Sequence, residues 1–406
     1  MADRTRAWSG WNILSSSNSV VSMTSRSALF SRRPLLAVAG SVALAASTLA
    51  AAPSASAGDG SGSSGGPTVV ARGLNSPRQL SFGPHGALYV AEAGTGGSGP
   101  CVVGPTGKVC FGRTGSVTRV AHGSQHRVLT RLPSVAGAGG AEPIGPADVL
   151  VGRHGRYVLS IGAGQDTTNR RALGRHARRL GTWVTGRLGH HSRVLADLAA
   201  FEAATNPDKS VAHDSDPTGI TISRRGLVGT DSGGNTLVRL RAHRHAGQKR
   251  VRALTVFPEV TVAQPGGGTG PMQAVPTSVA VGPDGALYVS QLTGFPFPAG
   301  AAHIFRFVAG HQPTVYASGL TNVTDLAWSH GKLYAVQISD AGLLKGGTGS
   351  LVRVHRGDNT MEDTVASGLV APYGVAIRHH AAYVSTCSVG GPDCAGQGTV
   401  VRIPLS

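Results

Sequence analysis

"FGPHGALYVAEAG" (82–94) returns about 200 residues later as "VGPDGALYVSQLT" (281–293). The number of further copies decides whether such a phrase is an active-site motif or a unit of architecture. Each copy follows a proline and an apolar-x-apolar stretch, and that opening occurs six times. The six are "SPRQLSF" (76–82), "GPADVLV" (145–151), "DPTGITI" (216–222), "VPTSVAV" (275–281), "NVTDLAW" (322–328) and "APYGVAI" (371–377), with the proline kept in five. A partner strand stands about eight residues on in every unit: "ALYVAE", "RYVLSI", "GLVGTD", "ALYVSQ", "KLYAVQ" and "AAYVST". A third strand recurs as "GSVTRV", "GTWVTG", "NTLVRL", "AHIFRF", "GSLVRV" and "GTVVRI", and fourth strands such as "HRVLTRL" and "PTVYASGL" follow most of these. Short strands with alternating apolar positions, repeated at intervals of roughly 47 to 71 residues, predict an all-β fold, a six-bladed β-propeller with blades starting near 76, 145, 216, 275, 322 and 371.

The sixth unit has no fourth strand after "VVRIPLS". "PTVVARGL" (67–74), ahead of the first unit, reads like the fourth strands "PTVYASGL" (313–320) and "TVASGL" (364–369). The N-terminal strand is therefore expected to close the last blade and cover an otherwise open sheet edge.

Composition agrees with a fold of many tight turns. The 406 residues include 59 glycines and 23 prolines, and only 14% are charged, which suits short strands better than long surface helices. The net charge is +17, but only five of the 37 basic residues are lysines, a bias that a GC-rich genome also produces. Residues 32–57, "RRPLLAVAGSVALAASTLAAAPSASA", combine a basic start, an apolar run and a small-residue end at Ala55-Ser56-Ala57. This is the pattern of an export signal cleaved near Ala57. Both a general secretory and a twin-arginine signal fit it, and Met23 is an alternative start. Residues 1–57 are thus read as extension and signal, 58–66 as a Gly/Ser linker and 67–406 as the propeller. No membrane contact is expected once the signal is removed.

Export makes the cysteines readable. Cys101 with Cys110, and Cys387 with Cys394, are close pairs in Gly/Pro-rich loops, so two local disulfides are expected. Neither pair has zinc-ligand spacing.

The region from about 67 to 406 resembles the ScyD/ScyE family of secreted bacterial proteins. The resemblance is carried by "GLNSPRQLSFGPHGALYVAEAGTGGSGPC" (73–101), "ADLAAFEAATNPD" (196–208), "VPTSVAVGPDGALYVSQLTGFPFPAGAA" (275–302) and "PTVYASGLTNVTDLAW" (313–328). More distantly the units are similar to NHL-repeat, gluconolactonase-type and strictosidine-synthase-like propellers. The family implies a secreted propeller and no activity that transfers residue by residue. The chain departs from it at "DSDPTGI" (214–220), where N-P-Y-G is usual after D-S.

Two short motifs carry nothing. "GTGGSG" (94–99) fits a dinucleotide fingerprint but runs into Pro100-Cys101 and not a helix. "GSSGG" (62–66) fits a nucleophile elbow but lies in the linker. The sixteen histidines form no metal motif.

The centre of the propeller is where polar residues gather. The residue before each first-strand apolar position is expected to approach the axis: Gln79, Asp148, Gly219, Ser278, Asp325 and Gly374, with the two carboxylates in opposite units. A second ring lies just beyond the second strands: Glu92, Ile161, Asp231, Gln291, Gln337 and Thr386. This oxygen inventory suits Ca²⁺, which takes carboxylate and amide oxygens, with Asp148 and Asp325 as candidate ligands. It equally suits a water-filled channel. Phe295 and Phe297 in "LTGFPFPAG" (292–300), each before a proline and so held extended, either plug the loop face or form a contact patch. The basic segments 169–183 and 241–252 read as solvated turns or as a surface for an acidic cell-wall polymer. Without interleaved aromatics, no nucleic-acid binding is expected.

Two functions remain open. One is a monomeric extracellular module binding a small molecule, glycan or protein on one face. The other is a lactonase-like hydrolase with a divalent ion near the axis.

Overall fold

The computed structural model describes residues 66–104, 107–242, 249–360, 363–391, 394 and 396–405. The expected signal, linker residues 58–65 and the tip of the basic hairpin (243–248) lie outside the described residues. Within them the chain forms six sheets of at least four strands, none closed on itself, all antiparallel except for a short parallel pair at the edge of the fourth, Thr314–Leu320 with Gly357–Asp358. Strand β1 (Thr68–Leu74) belongs to the last sheet. The first strands of the six sheets are β2 (Pro77–Phe82), β3 (Pro146–Val151), β4 (Pro217–Ser223), β5 (Pro276–Val281), β6 (Val323–Ser329) and β7 (Val375–Arg378). Each pairs with the next strand in sequence, and that with a further one, which is the third in every sheet but the first, where Leu88–Glu92 pairs with Gly107–Ala121 and the intervening strand Gly99–Gly104 lies beyond it. In the last sheet the third strand is β8 (Gly398–Pro404), and its outer partner is β1, antiparallel, with Thr68 opposite Arg402 and Leu74 opposite Gly398.

Packing gives the order of the sheets. One apolar cluster lies between each consecutive pair, as the two-sided strand pattern requires. Tyr89, Val117 and Leu159 join the first two sheets. Trp183 meets Ile220 and Val238 between the second and third, and Val228 meets Val289 between the third and fourth. Ile304 packs with Leu326 between the fourth and fifth, and Val336 with Val384 between the fifth and sixth. Leu74 and Val400 of the sixth pack on Leu80 and Val90 of the first. The first strands touch in the same order, with β7 returning to β2. Sheets packed face to face around a common centre make a β-propeller.

The long loops at one end carry what the repeat does not. Helices α1 (Thr167–Ala172) and α2 (Leu198–Thr205) belong to the second sheet's insertions. Asp166 and Asp197 cap them, accepting from Asn169 N–H at 2.7 Å and Ala200 N–H at 2.9 Å; such caps contribute about 1 kcal/mol each. Cys101–Cys110 and Cys387–Cys394 are disulfides. No helix among the described residues is long and apolar enough to cross a membrane.

Candidate functional site

In five sheets the pairing of first and second strands slips just after the start of the first strand. Pro77 faces Glu92 but Leu80 faces Val90, and the same shift follows Pro146, Pro217, Pro276 and Val323. A bulge of this kind re-aims the next side chain. Gln79, Asp148, Ser278 and Asp325 are all buried, at 2%, 7%, 4% and 5% exposure.

Their contacts join sheets. Asp148 Oδ1 accepts from Val149 N–H at 2.7 Å, and Oδ2 from Ile220 N–H in the third sheet at 2.8 Å. Asp325 repeats this three sheets on: Oδ1 accepts from Leu326 N–H at 2.8 Å and Ser278 Oγ at 2.6 Å, and Oδ2 from Val375 N–H in the sixth sheet at 2.7 Å. Gln79 spans the centre, its Nε2 donating to the Thr277 and Thr324 carbonyls of the fourth and fifth sheets at 3.1 Å each. Its Oε1 is buried without a partner. Glycine at the two remaining places follows from close approach. A Cβ on Gly219 would stand 2.7 Å from Ser278 Cα, and one on Gly374 2.5 Å from the Arg78 carbonyl.

Burial dominates the electrostatics. It pushes the Asp148 carboxyl up to about 8, with the charge of Asp325 adding to the effect. Burial likewise raises Asp325 to about 7. Backbone N–H donors favour the ionised forms but do not offset the loss of water.

The second ring serves the loops. Glu92 accepts from Asn75 N–H at 2.7 Å and pairs with Arg127 at 2.9 Å. Asp231 accepts from Asp216 N–H at 2.7 Å and Ser215 Oγ at 2.6 Å. Gln337 accepts from Thr321 N–H at 2.6 Å. All three tie down the segment leading into their own first strand. Gln291 accepts from His303 N–H at 3.1 Å, Thr386 meets Thr399, and Ile161 is buried. The polarity of this ring therefore has a local cause.

Of the two placements open to the aromatic loop, Phe297 adopts the inward one, 1% exposed among Leu292, Ile338 and Tyr373. Phe295 is half-buried against the same cluster. Arg78 lies 4.5 Å over the Tyr373 ring and donates to the Pro143 carbonyl at 2.6 Å. These contacts cover the loop end of the axis. In the basic segment 169–183, Arg170 pairs with Asp197 at 2.8 Å and Arg179 donates to Ser192 Oγ at 2.7 Å, so part of that charge is structural.

Two groups of residues emerge only in the fold. At the opposite end a cavity of about 300 Å³ opens between the third and fourth sheets. Arg224, Arg225, Arg239 and Arg306 line it, over a floor that includes Val228 and Phe307. Arg306 is paired with Asp284 at 2.7 Å. Arg239 is only 7% exposed, and its Nε is buried without a partner. Burial, and then the charges of Arg241, Arg225 and Arg252, lower its pKa. Strand alternation places Arg239 in "NTLVRL" without indicating that the fourth sheet covers it. A smaller lead existed for the second group, since "ADLAAFEAATNPD" needs no such sequence for blade geometry. There Glu202 is 1% exposed and stands with Asp208, Asp214 and Asp231. Burial first, then these acids, push its carboxyl up to about 8. Burial and Asp231 take Asp214 to about 7. Asp216, at the departure from N-P-Y-G, accepts from Ala163 N–H at 3.1 Å.

No family model and no curated protein matches the chain. Among solved structures it is similar to a catalytically inactive virginiamycin B lyase from Staphylococcus aureus with quinupristin, at 9% identity over 82% of this chain and 96% of that one, TM-score 0.39. It is also similar to a PQQ-bound aldose sugar dehydrogenase from Streptomyces coelicolor, at 16% identity over 84% and 80%, TM-score 0.35. A putative 6-phosphogluconolactonase from Bacteroides uniformis gives 13% identity over 82% and 87%, TM-score 0.42. At these values the likenesses say nothing of a ligand or a reaction for this chain.

Proposed function

We propose that the protein is an exported, six-bladed β-propeller of the ScyD/ScyE kind, closed by β1, which binds an anionic extracellular ligand in the arginine-lined cavity between its third and fourth sheets. The observation that carries this reading is Arg239, 7% exposed at the cavity wall with its Nε buried and without a partner. Partial removal of a guanidinium from water without a counter-charge is costly, and a carboxylate or phosphate entering the cavity offsets that cost through charge-assisted hydrogen bonds. The exposed Arg224 and Arg225 add long-range attraction, and the apolar floor suits a ligand with a hydrocarbon or sugar-ring body. An acidic small molecule or the acidic residue of a cell-wall glycan has this chemistry. The two disulfides fit an oxidising compartment.

The axial alternative is less well supported. Ca²⁺ takes roughly six to eight oxygens, whereas every Asp148 and Asp325 oxygen already accepts at least one protein donor and Gln79 Oε1 alone is unengaged. These residues do not fit a resident axial ion as they stand, and we read them as staples between sheets.

The test uses a fluorescently labelled oligogalacturonate and its carboxyl-reduced neutral counterpart, with binding read by polarisation at low salt. The charged probe is expected to bind, the neutral one not, and Arg239→Met to weaken binding at least tenfold, the scale of one charge-assisted hydrogen bond. Equal binding of the two probes, no binding of either, or an Arg239→Met protein that binds like the parent would overturn the reading.

A further inference from the structure

The arginine-lined cavity shares a wall with a second hollow. Asp284 and Arg306 line both, and beyond them a space of about 380 Å³ opens between the fourth sheet and the fifth. Tyr288, Thr314 and Tyr316 of the fourth sheet line it, with Arg356 of the fifth, just past the strand Gly349–Val354. Strand alternation explains the arrangement. Leu287 and Phe307 face the third sheet, where they pack with Val228, whereas Tyr288, one residue along, packs with Leu326 and Leu333 of the fifth. Arg306 and Thr314 stand in the same cross-strand row as Tyr288. The two hollows therefore lie on opposite faces of the fourth sheet, and the wall they share is its rim.

Each hollow has its own cation. Arg239 stands in the first. Arg356, in the second, is exposed, and among the described residues no acid forms an ion pair with it. The rim between them is charge-balanced. Arg306 donates from Nε to Asp284 Oδ2 at 2.8 Å and pairs with it through Nη2 at 2.7 Å, and the Tyr288 hydroxyl donates to the same oxygen at 3.2 Å. The second hollow also carries an aromatic wall. Tyr316 is half-buried and meets Tyr288 edge-on at 4.9 Å, and Tyr288 meets Trp328 at 4.9 Å. Rings braced in this way offer a fixed apolar surface to the C–H side of a sugar, from which an inorganic polyanion gains nothing.

We propose that the two hollows are subsites for one acidic oligosaccharide that crosses the rim of the fourth sheet, with the carboxylate of one residue at Arg239 and that of a residue further along the same chain at Arg356. The proposal rests on the reading of the first cavity as an anion site and adds a length requirement to it. Hollows on opposite faces of one sheet are separated by about one sheet spacing, about 10 Å, which a single sugar does not cover and a trisaccharide does. Once the first carboxylate is bound, the second is held close to its own arginine at a high effective concentration. The second contact is then made without a second loss of translational freedom.

The experiment titrates the mature, disulfide-intact chain calorimetrically at low salt with unlabelled galacturonic acid and with trigalacturonic acid. The trimer is expected to bind at least tenfold more tightly than the monomer, the scale of one added charge-assisted hydrogen bond. Arg356→Met alters an exposed side chain, so the fold is not at risk, and it is expected to abolish that gain and bring the trimer to the affinity of the monomer. Arg239→Met is expected to weaken monomer and trimer together. Equal affinity of monomer and trimer in the parent would overturn the proposal while leaving the first cavity as an anion site. A gain that survives in Arg356→Met would do the same. Absence of binding at either length would overturn both readings.

Discussion

Replacing Leu74 by alanine tests whether β1 locks the ring. Leu74 is 1% exposed and stands between two sheets, packing on Leu80, Leu88 and Val90 of the first and on Val400 of the sixth. The backbone beside it is engaged on both sides. β1 pairs with β8, and Arg72 N–H donates to Gln125 Oε1 at 2.9 Å while the Arg72 and Gly73 carbonyls accept from Gln125 at 2.6 Å and Arg127 at 3.1 Å. Loss of a buried leucine side chain costs about 2–5 kcal/mol, depending on how far the site collapses. Two rigid sheets flank this one, so little collapse is available and about 3 kcal/mol is the expected loss. At roughly 2 °C per kcal/mol, the lower end for sizeable domains, the unfolding midpoint falls by about 6 °C. The control is Val69→Ala on the same strand, where the side chain is 37% exposed and the cost is within about 0.5 kcal/mol. Near-UV circular dichroism during thermal unfolding of the oxidised mature chain reads both. If Leu74→Ala melts no earlier than Val69→Ala, β1 is an appendage and the closure argument fails.

Two further outcomes follow from the centre of the ring. The folded-state pKa values of Asp148 and Asp325, about 8 and 7, lie above the ordinary carboxylate value of 3.8. Their contribution to stability is thus full below about pH 4 and is lost as pH rises through 7 to 8. Asp148→Asn should flatten the fall in unfolding midpoint between about pH 5 and pH 8 relative to the parent, and an unchanged slope would show that the buried pair does not titrate in this range. Gly374→Ala forces a Cβ to within 2.5 Å of the Arg78 carbonyl and 2.6 Å of Leu80 Cδ2. Overpacking of this kind costs about 1–3 kcal/mol, so denaturant titration should show a clear loss, and a variant as stable as the parent would mean that the sheets are less tightly set than described.

Strand periodicity was the most readable feature of the chain because burial on both faces of every sheet leaves a mark on alternate residues. The closing strand was readable for a related reason: "PTVVARGL" must bury Ala71 and Leu74 as "PTVYASGL" buries Ala317 and Leu320. The site was less so. Polarity at Glu92, Asp231 and Gln337 was evident, but its cause was not, since the amides these side chains hold lie 15 to 17 residues away in sequence across a pairing that only the folded sheet defines. Arg239 looks like an outward strand residue until the fourth sheet is laid against it. Glu202 and Asp231 are 29 residues apart in sequence, and no local pattern announces that α2 folds back over the third sheet. The helices themselves, in the insertions of the second sheet, follow no repeat and were not anticipated.

The axial residues have a rhythm slower than that of the strands. Taken sheet by sheet they run Gln79, Asp148, Gly219 and then Ser278, Asp325, Gly374, so an amide or hydroxyl, a bridging carboxylate and a glycine recur with a period of three sheets. The carboxylates make matching bonds, Asp148 to Ile220 and Asp325 to Val375, each from the middle sheet of a trio to its last. "GPHGALYV" and "GPDGALYV" also stand three sheets apart, in the first and fourth. The ring therefore repeats at two scales, its strand order in every sheet and the staples at its centre only in every third.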